Sequence, residues 1–169
     1  METHLTIKHL APYLPYGLKG SWTETFEIEK LIGFCEDEVI TNVEQFPLKD
    51  FKPILRPLSD LIEEIEHNGE KFIPLIKLFD ISVGHNWSST NYLGCILGVN
   101  EFWLQLKDKK PSFAFGYNWE NEMFYYLTKE NYYLKVYNQL GLFNKLFEWH
   151  FDVFGLIEKG IAIDINTLK

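Results

Sequence analysis

The chain is poor in arginine: Arg56 stands alone against fifteen lysines. Arginine supplies the rigid fork that grips bases, phosphates and carboxylates. Its scarcity argues against a DNA-reading protein, and an AT-rich coding source imposes the same bias. Cysteine is scarce as well. Cys35 and Cys95 lie 60 residues apart with no C-x-x-C spacing, so neither a disulfide framework nor a zinc ribbon is supported. Two buried free thiols in a reducing compartment are expected. No apolar run approaches the ~18 residues that span a bilayer, and the start, METHLTIKHLAPYL, lacks a secretory core. A cytoplasmic location is therefore expected. Internal repeats, low-complexity tracts and Gly/Ser linkers are absent too, and the length suits a single globular domain over residues 1–169.

The grammar of catalysis is missing. There is no phosphate-binding P-loop, no G-x-G-x-x-G and no G-x-S-x-G nucleophile elbow. The nearest approach is DISVGHNWSSTN at 80–91. There His85 would be a general base, Ser88 or Ser89 a nucleophile and Asp80 an orienting group. The spacing does not demand this chemistry, and a polar surface loop accounts for the stretch better. The other histidines, His4, His9, His67 and His150, do not cluster, and Glu148, His150 and Asp152 lack ligand spacing on one helical face. No catalytic residue, metal or cofactor is expected.

What the chain has is acid and aromatics. Its net charge is −8, and residues 1–85 carry 15 acidic and 8 basic side chains against 9 and 8 in residues 86–169. An acidic half repels phosphate backbones, so direct nucleic-acid binding is disfavoured. It complements a basic protein surface instead. Aromatic residues make up 17%, led by 14 phenylalanines, and such wealth belongs mainly to a core. The run FAFGYNW puts Phe113, Phe115, Tyr117 and Trp119 on one pleat face, with Ala114, Gly116 and Asn118 on the other. A core face accounts for it best. A base-stacking platform would need cations beside it, and Lys107, Lys109, Lys110 and Lys135 are the ones to supply them.

The hydrophobic pattern predicts an α+β protein. Strands are expected at 18–22 and 25–34, the latter with Phe26, Ile28, Ile32 and Phe34 on one face and Glu27 and Glu29 on the other. Glu36 and Asp37 turn the chain into a strand at 38–45. Pro53 and Pro57 argue against a central strand at 51–58. Short helices are expected at 59–66, ended by Asn68-Gly69, and at 71–79, with a long loop over 82–100. A three-stranded antiparallel meander follows at 101–107, 112–119 and 123–127. Two C-terminal helices come next, at 129–140 behind Thr128 and from Phe143 to Phe154, stopped by Gly155. Alternation of Ile161, Ile163 and Ile165 predicts a closing strand, and the last helix and strand are expected to cover the meander.

Three blocks, HLAPYLPYGLK at 9–19, KPILRPLSDL at 52–61 and WHFDVFGLIEKGIAIDINTL at 149–168, together resemble small phage and prophage proteins of Bacteroidetes-type bacteria. The resemblance implies an origin on a mobile element and carries no site residues. With the acid charge, it points to a protein that binds a host protein. An anti-CRISPR-like inhibitor of host defence is the leading expectation. Its partner would be an RNA-guided nuclease or its guide-RNA complex, whose channel is basic. Glu24, Glu27, Glu29, Glu36, Asp37 and Glu38, with Trp119, are the expected contact residues. The alternatives are a non-catalytic accessory protein of phage replication or DNA metabolism and, less favoured, a small hydrolase using the His85 loop.

Overall fold

The structure is a computed structural model that describes residues 4–22, 27–84, 92–106, 114–128 and 132–168. Helix α1 (Ile7–Leu10) runs into a 3-10 turn over Ala11–Tyr16 that holds Pro12 and Pro15. Strands β1 (Lys19–Trp22), β2 (Ile28–Cys35), β3 (Glu38–Thr41), β4 (Gln45–Pro47) and β5 (Phe51–Leu55) follow. A 3-10 turn over Leu58–Ile62 leads to β6 (Ile65–His67), β7 (Glu70–Phe72) and helix α2 (Pro74–Val83). Next come β8 (Tyr92–Leu97), β9 (Glu101–Leu106), β10 (Ala114–Asn118), β11 (Met123–Leu127) and β12 (Tyr133–Lys135). Helix α3 (Gln139–Glu148), β13 (Ile163–Asp164) and a 3-10 turn over Ile165–Thr167 close the chain. The class is α+β. Among the described residues, no helix is long and apolar enough to cross a membrane.

Two compact units share these elements: Met1–Leu58 with Leu146–Lys169, and Ser59–Lys145. The first unit is built on a sheet of order β13-β5-β1-β2-β3-β4, antiparallel except where β13 meets β5. Leu10, Tyr13, Leu18, Leu31, Val39 and Leu55 lie fully inside its core. β5 is a strand despite Pro53. β13 pairs only with Ile54 and Leu55, so over its first three residues β5 is an edge, where a proline is tolerated.

The C-terminal pattern is resolved differently from its periodicity. α3 stops at Glu148 rather than continuing to Phe154. His150 takes a left-handed backbone, φ +59°, where glycine is usual. Its N–H donates to Phe147 O at 3.0 Å, and the Phe151 N–H donates to Leu146 O at 2.9 Å, which satisfies the last helical carbonyls. The chain then pairs with Arg56: Arg56 N–H donates to His150 O and Asp152 N–H to Arg56 O, each at 2.8 Å. Phe151 and Phe154 thus reach the core from a turn. The aromatic spacing was read as helical because both geometries bury the same residues. The closing strand is two residues long and pairs with β5, not with the meander.

The second unit contains the expected meander, lengthened at both edges to β12-β11-β10-β9-β8. β8 occupies part of the segment expected as a loop. β12 replaces the helix expected at 129–140: Thr128 N–H donates to Tyr132 O and its hydroxyl accepts the Tyr132 N–H, a strand-to-strand turn rather than a helix cap. One C-terminal helix is therefore present among the described residues, and Gly141 lies inside it. The helix expected at 59–66 is a 3-10 turn plus β6. Asn68 (φ +51°) and Gly69 (φ +80°) form the two-residue turn to β7 that an Asn-Gly pair favours.

Phe115 and Tyr117 are fully buried. They meet Phe124 at 5.9 and 4.8 Å between ring centroids, Phe79 of α2 touches Phe115, and Phe143 of α3 touches Tyr117. The aromatic ladder is core, so these two rings are not open to bases. Burial pushes the Tyr117 hydroxyl well above the usual tyrosine range. Phe113 and the lysines at 107, 109 and 110 lie outside the described residues, and Lys135 is exposed on β12.

Candidate protein-docking hairpin

The expected contact residues concentrate on the β2–β3 hairpin. Glu36 and Asp37 form its turn, between the paired residues Cys35 and Glu38. Glu36, Asp37 and Glu38 are consecutive, exposed carboxylates. Glu36 sits at φ +52°, a left-handed conformation that costs a side chain with a Cβ on the order of 1 kcal/mol. The tip is braced from behind: Leu48 N–H donates to Asp37 O at 2.8 Å, and the Gln45 amide donates to the Glu38 carboxylate. Lys49, in the adjoining turn, is exposed as well.

Ile28 and Ile32 share a face of β2 opposite Glu29, as the alternation predicted, but that face is the exposed one and a bulge takes Phe34 off it; Phe26 lies outside the described residues. Leu31 pairs with Thr41 and Gly33 with Ile40, so Ile32 is an extra residue bulged out of the ladder. Before the bulge, Glu29 and Leu31 point inward and Ile28 points out; after it, Phe34 packs against the core. Ile28 is 53% exposed and Ile32 54%, while Glu29 is only 5% exposed. A uniform two-residue period cannot register an inserted residue. Glu29 is therefore a correction: it lies in the sheet interior, where Thr41 donates its hydroxyl to one carboxylate oxygen. The other oxygen is buried and unpartnered. Thr41 also accepts the Val43 and Glu44 N–H groups at 3.3 and 3.1 Å, which shapes the β3–β4 turn.

Glu27 is exposed just before β2, at the end of the strand away from the tip, and Glu24 lies outside the described residues. Trp119 belongs to the second unit, half-buried with its ring 4.9 Å from Phe102, whereas the carboxylates belong to the first. Sequence reasoning put Ile28 and Ile32 on one face with Phe26 and Phe34 and did not mark them as exposed; alternation carries no signal of which face the core covers. The surface is thus three carboxylates at a tip and, along the stem, Ile28 and Ile32 with the exposed Lys30 between them. By unit, the first carries 13 acidic and 8 basic side chains and the second 11 and 8, so the acid excess is shared more evenly than the chain halves imply.

The blocks 9–19, 52–58 and 149–168 meet in the first unit, while residues 59–61 belong to the second. Tyr13 OH donates to Phe151 O at 2.6 Å, His150 Nε2 lies 3.1 Å from Tyr16 O, and Arg56 pairs with the backbone of His150 and Asp152. Asp152, 4% exposed, accepts Leu156 and Ile157 N–H groups at 2.8 and 2.7 Å. Burial raises its pKa, and those two hydrogen bonds partly offset the rise. This is a scaffold: every polar contact named goes to backbone.

His85, Ser88 and Ser89 lie outside the described residues, and Asp80 is on α2. Among the described residues, no group of three or more His, Cys, Asp or Glu side chains is placed to hold a metal ion. Comparison with known protein families, curated proteins and solved structures yields no match.

Proposed function

We propose that the protein acts by binding another protein, with the β2–β3 hairpin as its contact surface and a basic face as the partner's. The observation that carries this reading is the tip. Glu36 holds a left-handed turn position that glycine or asparagine would fill at lower cost, so stability does not account for a carboxylate there. Asp37 and Glu38 continue the charge, and exposed Ile28 and Ile32 supply apolar area along β2. Charged tips steer encounter and apolar stems hold the complex.

Within that class, the partner we favour is an RNA-guided nuclease or its guide-RNA complex, whose basic channel is the complementary surface. The protein would inhibit it by occupying that channel, inside the cytoplasm of a bacterial host. Support comes from the charge and from the resemblance of the three blocks to phage and prophage proteins. The test uses the purified full chain against a panel of such nucleases, read by co-purification and by DNA cleavage. Binding should weaken as salt rises. The combined change Glu36→Lys, Asp37→Lys and Glu38→Lys should abolish it while leaving the circular dichroism unchanged. Binding that survives the triple change removes the hairpin as the surface, and a panel with no bound member removes the nuclease as the partner.

A further inference from the structure

We infer that the inner face of the first sheet holds a site for a primary ammonium group, with Glu29 as the acceptor and Trp22 and Phe46 as an aromatic wall. Glu29 is only 5% exposed. One carboxylate oxygen accepts the Thr41 hydroxyl, while Oε1 is buried with no hydrogen-bond partner. Among the described residues Glu29 makes no ion pair. The neighbouring lysines stand on the other face of the sheet: Lys30 follows Glu29 on β2, and Lys52 pairs with Ser21, next to the Gly20 that pairs with Glu29. A buried carboxylate oxygen without a donor is costly. The fold thus keeps an acceptor here that an incoming donor would complete.

Strand register builds the wall. Trp22 lies two residues beyond Gly20 on the face that carries Glu29, within the diagonal reach of a large ring. Thr41 shares that face and lies two residues from Val39, which pairs with Phe46. The Trp22 and Phe46 rings touch across the face, and the Phe51 ring fills the space a Cβ on Gly20 would take. Glu29, Thr41, Phe46 and Phe51 are buried, whereas Trp22 is half-buried. Trp22 is therefore the wall nearest solvent, and turning its ring admits the ligand. Ring faces attract a cation, and the free Oε1 takes an N–H. A primary ammonium on an alkyl chain meets both demands. A quaternary ammonium has no N–H to give. A metal ion would find one carboxylate and one hydroxyl, short of the about six oxygens that hard cations take. The acid excess of the first unit draws cations toward the site.

The experiment is thermal denaturation and tryptophan fluorescence of the full chain titrated with n-butylammonium chloride, against sodium chloride and tetramethylammonium chloride at equal ionic strength. n-Butylammonium should raise the melting temperature and shift the fluorescence, and should bind about tenfold more tightly than tetramethylammonium. Glu29→Gln and, separately, Trp22→Leu should each weaken that binding about tenfold. Trp22→Phe should retain it, which separates the ring's role from a folding defect. The Glu36, Asp37 and Glu38 triple change should leave it intact, so this site and the docking hairpin stand or fall apart. N-acetyl-lysinamide identifies the source: its binding assigns the site to a lysine side chain of a partner, and its rejection where n-butylammonium binds assigns it to a free amine. Equal effects of the three salts, or n-butylammonium binding unchanged by both Glu29→Gln and Trp22→Leu, overturn the inference.

Discussion

Thr41 donates its hydroxyl to the buried carboxylate of Glu29 across neighbouring strands of the first sheet. A carboxylate taken out of water without a donor is costly, so this contact lets β2 keep Glu29 inside and Ile28 outside. Thr41→Val keeps the shape and removes the donor. It should destabilise the protein by about 1–3 kcal/mol, and Glu29→Gln in the Thr41→Val background should recover part of the loss. Urea denaturation of the two variants checks both signs.

The bulge at Ile32 makes a sharper distinction. Ile32→Ser should change stability by less than about 0.5 kcal/mol, because the side chain is exposed. Leu31→Ala, one residue earlier and fully inside, should cost about 2–5 kcal/mol. Equal losses in thermal denaturation would mean that Ile32 is buried like Leu31.

A substituent on Gly116 should conflict with Tyr125. A Cβ there would stand 2.6 Å from the Tyr125 ring and hydroxyl and 3.0 Å from Phe102 O. Gly116→Ala should therefore cost about 1–3 kcal/mol. In a Tyr125→Ala background the same change should cost less, and that coupling, measured as a double-mutant cycle, identifies the ring as the cause.

Asp152 predicts a pH dependence. Its pKa is raised in the fold, first by burial, so between the ordinary carboxylate pKa and the raised one the folded state holds more protons than the unfolded. The contribution of this group to stability is full below the ordinary value and falls as pH rises through the raised one. Asp152→Asn should flatten that limb of the pH–stability profile, and urea midpoints from pH 3 to pH 8 of both proteins check it.

The legible parts of the fold were those with local causes. The strands at β9 and β10 carry alternation in sequence, the Glu36-Asp37 turn has its own polar signal, and Pro74 sits where a helix begins. The aromatic ladder is core, as its composition implied. Tyr133-Leu134-Lys135 followed Thr128 as a helix would, yet its hydrogen bonds go to β11. The carboxylate tip was visible as residue types. The exposure of the isoleucines along the stem was not, since alternation says which residues share a face of β2 but not which face the core covers.

By itself the sequence determined the α+β class, the acid excess and which segments alternate, because periodicity and composition act within a few residues. Tertiary structure decided three other things: the face that β2 presents, the end of α3 at Glu148, and the pairing of the C-terminal strand with β5. Each depends on a partner distant in sequence: Thr41 for Glu29, Arg56 for His150 and Asp152, Ile54 for Ile163. A backbone group takes whichever hydrogen-bond partner the assembled core brings to it, and no local pattern encodes which one arrives.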